Sequence, residues 1–289
     1  MRALLPISLL LLSACGDGVT ETSSGPYGLQ STSQSGGGSS DSGGSSNGSS
    51  GGGASATSPP TPAGTAVNPT GIWDIKDTIN GNAVTEVALI SGGSYYALAS
   101  ADPFGCEDVT GGTYAIDGST FKGSGASVLM NSCNAPSGQS GYLPFTLSGY
   151  MTVAGLNLSF VVGGMLVPTL GATLDPLYNE PSSLTKLAGN WNDAGNTLTI
   201  NADGTFFEQQ SSGCVVSGAY TIIDATHNLY GVSLQIANCT SSMAGIAFNG
   251  LGYLDDSNPN ALQFFEDMSG ADPANAGGIV LLSDNITPQ

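Results

Sequence analysis

From residue 70 onward, large apolar residues occur in short runs that alternate with polar ones, and Gly, Asn, Asp and Pro interrupt the runs at close intervals. Alternation of this kind puts every second side chain on one face, as a half-buried strand requires. Thr197-Leu198-Thr199-Ile200 and Thr205-Phe206-Phe207-Glu208 flank Asn201-Ala202-Asp203-Gly204, which predicts a hairpin with Asp-Gly in its turn. Tyr230, Val232, Leu234 and Ile236 keep the period of two. The doubled aromatics Tyr95-Tyr96 and Phe206-Phe207 put one ring on each face of a strand, so one of each pair is expected in a core. No long segment has helical periodicity, and at most one helical turn is expected around Ser182 to Leu187. The fold class is therefore all-β.

One set of landmarks occurs twice in the same order. Gly71-Ile72-Trp73 answers to Gly189-Asn190-Trp191, Gly92-Gly93-Ser94-Tyr95-Tyr96 to Asp203-Gly204-Thr205-Phe206-Phe207, and Gly105-Cys106 to Gly213-Cys214. Asn131-Ser132-Cys133 answers to Ala237-Asn238-Cys239, and Leu147-Ser148-Gly149-Tyr150 to Leu251-Gly252-Tyr253, all at offsets of 103 to 118 residues. Two copies of one domain are expected, over 70–183 and 184–289. In the second copy, candidate strands lie around Trp191, Leu198, Phe206, Val216, Leu234, Phe248, Phe264 and Leu281. Eight antiparallel strands can close into a small barrel, which removes exposed edges. Two tandem eight-stranded barrels are the predicted architecture. The opening Gly-x-Trp of each copy, at Gly71 and Trp73 and at Gly189 and Trp191, resembles the calycin group of lipocalin and avidin-like barrels. That resemblance implies a Trp plugging one end of each barrel. The Arg that packs on this Trp in the group has no counterpart here.

Ahead of the strands, residues 16–69 hold 14 Gly and 14 Ser, with a Pro-rich close at Ser58-Pro59-Pro60-Thr61-Pro62. Such a segment cannot bury enough apolar surface to fold and is expected to act as a disordered tether. Before it, Arg2 and the apolar run Ala3 to Leu12 end in Leu12-Ser13-Ala14-Cys15, too short a run to span a bilayer. This resembles a bacterial lipoprotein signal peptide and its lipobox. The resemblance implies a signal peptide over 1–14, removed before Cys15, and acyl chains on Cys15 that anchor the protein to a membrane. With Gly16 rather than Asp after Cys15, it also implies the outer membrane, on either face.

Assigning Cys15 to lipid leaves Cys106, Cys133, Cys214 and Cys239, an even set expected to form disulfides in an oxidising compartment. Four cysteines allow three pairings. If each copy folds alone, Cys106 bonds Cys133 and Cys214 bonds Cys239. The net charge is −18, and once Arg2 is removed three lysines face 22 acids. Nucleic acid and anionic headgroups are poor partners for such a chain.

Candidate chemistry is sparse. His227, the one histidine, lies in a polar stretch between strands and reads as a solvated loop residue. Ser183-Leu184-Thr185-Lys186 matches an S-x-x-K string without the helical context that motif needs. Asp255-Asp256-Ser257-Asn258 and Glu107-Asp108 offer oxygens for calcium, but in no recognised spacing. Glu266-Asp267, and Asp203 with Glu208, are carboxylate pairs of the kind glycoside cleavage uses, and in a chain with 22 acids such pairs arise by chance. No catalytic residue, metal site or cofactor is expected. The expected function is a non-catalytic binding module for a small apolar ligand, a glycan or an envelope protein. The alternatives are a structural or adhesive surface protein with packed barrels and, third, a hydrolase.

Overall fold

In a computed structural model of the chain, the described residues are 68–79, 82–101, 108–129, 142–152, 154–193, 195–239, 245, 247–256, 261–268 and 280–289. The signal peptide, Cys15, the tether up to residue 67, Cys106, Glu107, Cys133, Ser257 and Asn258 lie outside them.

The described chain is all-β, in two antiparallel sheets joined by a short connector. The first sheet comprises β1 (Gly71–Ile79), β2 (Asn82–Ser91), β3 (Ser94–Ala101), β4 (Asp108–Asp117), β5 (Thr120–Leu129), β6 (Tyr142–Thr152), β7 (Gly155–Val162) and β8 (Met165–Leu174). Each strand pairs with the next, and β1 pairs with β8 through Trp73↔Leu174, Asp74↔Thr173 and Ile75↔Ala172, closing an eight-stranded barrel. The second sheet comprises β9 (Gly189–Asp193), β10 (Asn196–Ile200), β11 (Thr205–Gln209), β12 (Val215–Ile222), β13 (Tyr230–Ala237), β14 (Ala247–Asp255), β15 (Ala261–Met268) and β16 (Val280–Pro288). These are the eight segments expected from the alternation. The second sheet curls in the same order, and its ends meet over a short seam, Thr287↔Asn192 and Pro288↔Trp191.

Alternation translates directly into burial. Tyr230, Val232, Leu234 and Ile236 are all buried on one face of β13. The expected hairpin forms between β10 and β11. Asn201 and Gly204 close its turn, with Gly204 at φ +88°, a conformation that favours glycine. The one helical turn is α1 (Leu184–Leu187), and a 3-10 turn at Pro176–Asn179 precedes it. Among the described residues, no helix is long and apolar enough to cross a membrane.

Inside each sheet, aromatic rings sit opposite glycines. Tyr95 faces Gly112 in register, and Phe206 faces Gly218. Further round each sheet, on the same inner face, Phe121 faces Gly149 and Tyr230 faces Gly252. A Cβ on Gly218 would lie 2.6 Å from Phe206 Cζ, and one on Gly149 would lie 2.6 Å from Phe121 Cε1. At Gly218 and Gly149 the absence of a side chain makes room for the facing ring. The interior of the first barrel is occupied by Trp73, Tyr95, Phe121, Phe145, Phe160 and aliphatic side chains, with Phe145 5.5 Å from Tyr95 and 5.2 Å from Phe160 between ring centres.

A third apolar cluster lies between the sheets, which belong to one compact unit. Ile72, Leu89 and Tyr96 leave the outer surface of the first sheet and meet Leu229, Leu251 and Tyr253 of the second. Tyr96 Oη donates to Asn249 O at 3.2 Å. Both rings of Tyr95-Tyr96 are thus buried, one in the barrel and one against the neighbouring sheet, whereas Phe207 stays exposed beside its buried neighbour Phe206.

Candidate functional site

Polar side chains interrupt the apolar interior of both sheets. In the second, Asp193 continues the inward face of β9 two residues beyond Trp191. Glu208 pairs with Leu198 and Val216 and shares their face. Both are almost fully buried, as is Gln210 just after β11. The disulfide Cys214–Cys239 lies beside Gln210, whose N–H donates to Cys214 O at 2.9 Å. Val215 pairs with Ala237, and Asn238 next to it has φ +57°, so the chain turns at Asn238 and brings Cys239 to Cys214. In the first sheet, Asp108 accepts from Ser127 Oγ at 2.7 Å and from Thr110 Oγ1 at 3.3 Å; Ser127 and Thr110 are buried. Asp108 is therefore a strand residue whose carboxylate is engaged by its neighbours on β4 and β5.

These carboxylates lie apart from the other candidate groups. Asp203 sits in the β10–β11 turn, fully exposed, and accepts from Thr205 N at 3.0 Å and Thr205 Oγ1 at 2.7 Å, hydrogen bonds that hold its carboxyl below the usual range. It does not join Glu208, which is buried on the inner face of the second sheet. Asp255 is buried at the end of β14 while Asp256 is exposed. Glu266 and Asp267 occupy successive positions on β15, opposite Gly250 and Asn249. Among the described residues, no group of three His, Cys, Asp or Glu side chains could hold a metal ion.

His227 is less solvated than its polar surroundings suggested. Its ring stacks on Tyr178 of the connector, with centroids 4.3 Å apart and planes 18° from parallel. Its Nδ1 lies 3.2 Å from Asp224 Oδ2 and 3.0 Å from Thr226 Oγ1. The Thr226 N–H and hydroxyl, together with His227, hold the Asp224 carboxyl below its ordinary range. Asn228 next to it binds Leu254 through both side-chain atoms and donates its N–H to Tyr178 O. Sequence reading missed this role because Tyr178 is 49 residues away, in a connector with no strand pattern. Ser183, of the S-x-x-K string, shares a hydroxyl hydrogen bond with Thr185 at 2.8 Å and donates its N–H to Tyr230 Oη at 2.9 Å. Both motifs thus fasten the connector to the second sheet.

A cleft of about 370 Å³ opens at the Trp191 end of the second sheet, lined by Lys186, Asn190, Trp191, Leu254, Asp256 and Gln289 among others. It combines a cation, a carboxylate and amides around an indole edge, donors and acceptors suited to hydrogen bonding.

No protein-family model matches the chain, and no curated protein matches it. Among solved structures it is similar to a crystal structure of a "putative outer membrane protein" from Bacteroides fragilis, at 17% identity over 78% of this chain and 97% of that one, with a TM-score of 0.21. A likeness of that degree carries no argument about function.

Proposed function

We propose that the mature chain is a lipid-anchored protein of the cell envelope whose two sheets, read as copies of one calycin-like barrel, form a non-catalytic binding module. Cys15 carries the acyl chains, and Gly16 after it directs the protein to the outer membrane. The repeated pairing of an inner aromatic with a glycine, Tyr95 with Gly112 and Phe206 with Gly218, supports the duplication. Cys106–Cys133 is the matching bridge in the first copy.

The observation that carries the non-catalytic reading is the placement of His227. Its ring is committed to Tyr178 and its own loop, while Ser127 and its carboxylate partner Asp108 lie in the other sheet. A serine paired with a carboxylate alone lacks the imidazole that a Ser-His-Asp arrangement uses. The aromatic and aliphatic side chains packed inside the first barrel favour a glycan or an envelope protein held on the outer surface over a small apolar ligand inside. The same packing favours the second reading, a structural or adhesive protein.

The test is the purified mature chain, assayed for binding to lipids, glycans and envelope proteins and for turnover of ester and glycoside substrates. Binding without turnover is expected. Turnover without binding contradicts the proposal, and neither activity favours the structural reading.

A further inference from the structure

We infer that the outer face of β6–β8, with Lys122 of β5 at its edge, is a docking surface for a neutral polysaccharide, an inference that rests on the binding-module reading and names its partner. Between Asp117 and Asp175 the chain has no Asp, Glu, Arg or His, and its one charged residue is Lys122, although the whole protein holds 22 acids. This segment is half of a closed barrel, so a sheet face free of carboxylates lies on a strongly acidic molecule.

Register shows what that face presents. Lys122, Ser148 and Ser159 stand side by side across β5, β6 and β7, and Ser159 Oγ lies 2.8 Å from Thr169 Oγ1 on β8. In a neighbouring row, Tyr150 is half exposed and pairs with Asn157. Strands about 4.8 Å apart, with same-face residues about 6.8 Å apart along each, space these hydroxyls and amides on the scale of sugar rings. Polar hydroxyls with one exposed ring suit an uncharged polyol, which offers C–H faces to the tyrosine and hydroxyls to Ser, Thr and Asn.

The same features disfavour other occupants. Protein interfaces are depleted in Ser and Lys at their centres and enriched in large apolar residues. Here the exposed apolar residues are separated: Leu166, three-quarters exposed, pairs with Val161 in a row away from Tyr150. An anionic polymer would meet repulsion from the carboxylates around the face.

The experiment is retention of the full mature chain on cellulose and chitin, with affinity electrophoresis in dextran and, as the anionic control, alginate. Retention on at least one neutral polymer is expected, weakened tenfold or more by Tyr150→Ala and by Ser148→Asp with Ser159→Asp. Phe207→Ala, an exposed aromatic on the other sheet, is expected to leave it unchanged. Melting temperatures establish that each variant folds, and Tyr150→Ala decides the matter if the double variant does not. Retention on alginate alone, on no polymer, or equally by wild type and Tyr150→Ala overturns the inference. So does a dimer in sedimentation that Ser148→Asp with Ser159→Asp dissociates, since the occupant is then a second copy. Capture of a lipid or an envelope protein without any polysaccharide removes this surface but leaves the binding module standing.

Discussion

Trp73 and Trp191 make the same hydrogen bond: each indole Nε1 donates to the carbonyl four residues earlier, Pro69 O at 2.8 Å and Leu187 O at 2.7 Å. Both rings are buried, so each bond satisfies a donor that water cannot reach and ties the incoming chain beneath its own sheet. Replacing either Trp with Phe keeps most of the apolar volume but leaves the carbonyl unpaired. Trp73→Phe and Trp191→Phe are each expected to lose about 1–3 kcal/mol in urea unfolding. Unchanged midpoints for both would show that the bonds contribute nothing.

The facing glycines make a sharper steric prediction. A methyl on Gly218 would run into Ser233 O as well as Phe206 Cζ, and one on Gly112 would meet Ser124 O. The obstructing oxygens are backbone atoms within the sheets and cannot swing aside. Gly218→Ala and Gly112→Ala should each cost at least about 1–3 kcal/mol. Gly171→Ala, where nothing lies within 4 Å, is the control and should be near neutral.

Much of this architecture was legible in the sequence because a barrel strand writes its burial in alternate residues. Leu198, Ile200, Phe206 and the β13 series point inward as their spacing indicated. Trp73 and Trp191, matched in the sequence, are both buried on the first strand of their sheets. The surface between the sheets was not legible, because Ile72, Leu89 and Tyr96 look like ordinary outward positions until the neighbouring sheet covers them. His227 lies in a loop between strands as expected, but its stacking was not legible, because it comes from Tyr178, which no local pattern connects to it. Glu208 alternates correctly with Phe206, and only its charge argued against the interior position it occupies.

The Cys214–Cys239 bridge spans 25 residues of chain. A loop of that length is worth about 3–4 kcal/mol through restriction of the unfolded state. Replacing both cysteines with Ser is expected to lower stability by about that amount in thermal or denaturant unfolding. A loss confined to a few tenths would indicate that the unfolded chain is restrained by other means.

Stability should fall in alkali. Burial raises the Tyr230 phenol, offset in part by the Ser183 N–H; burial also raises Tyr114, and burial followed by the charge of Asp224 raises Tyr178. A raised phenol stabilises the fold fully below the unfolded value of about 10, and that stability is lost as pH rises through the folded values. Asp203 and Asp224 act in the opposite sense, contributing above the ordinary carboxylate range and losing their effect as pH falls through their lowered values. Both are exposed, so the acid limb should be shallow. Circular dichroism is expected to show unfolding that begins near pH 10, and Tyr230→Phe should flatten that limb. A flat alkaline profile in the wild type would contradict it.

The most direct test of two sheets each closed by its own bridge is the disulfide map of the non-reduced mature chain, read by mass spectrometry of its peptides. The predicted result is Cys106 joined to Cys133 and Cys214 joined to Cys239, with Cys15 acylated. Cys106 joined to Cys214 or to Cys239 would contradict a duplicated, self-stapled unit.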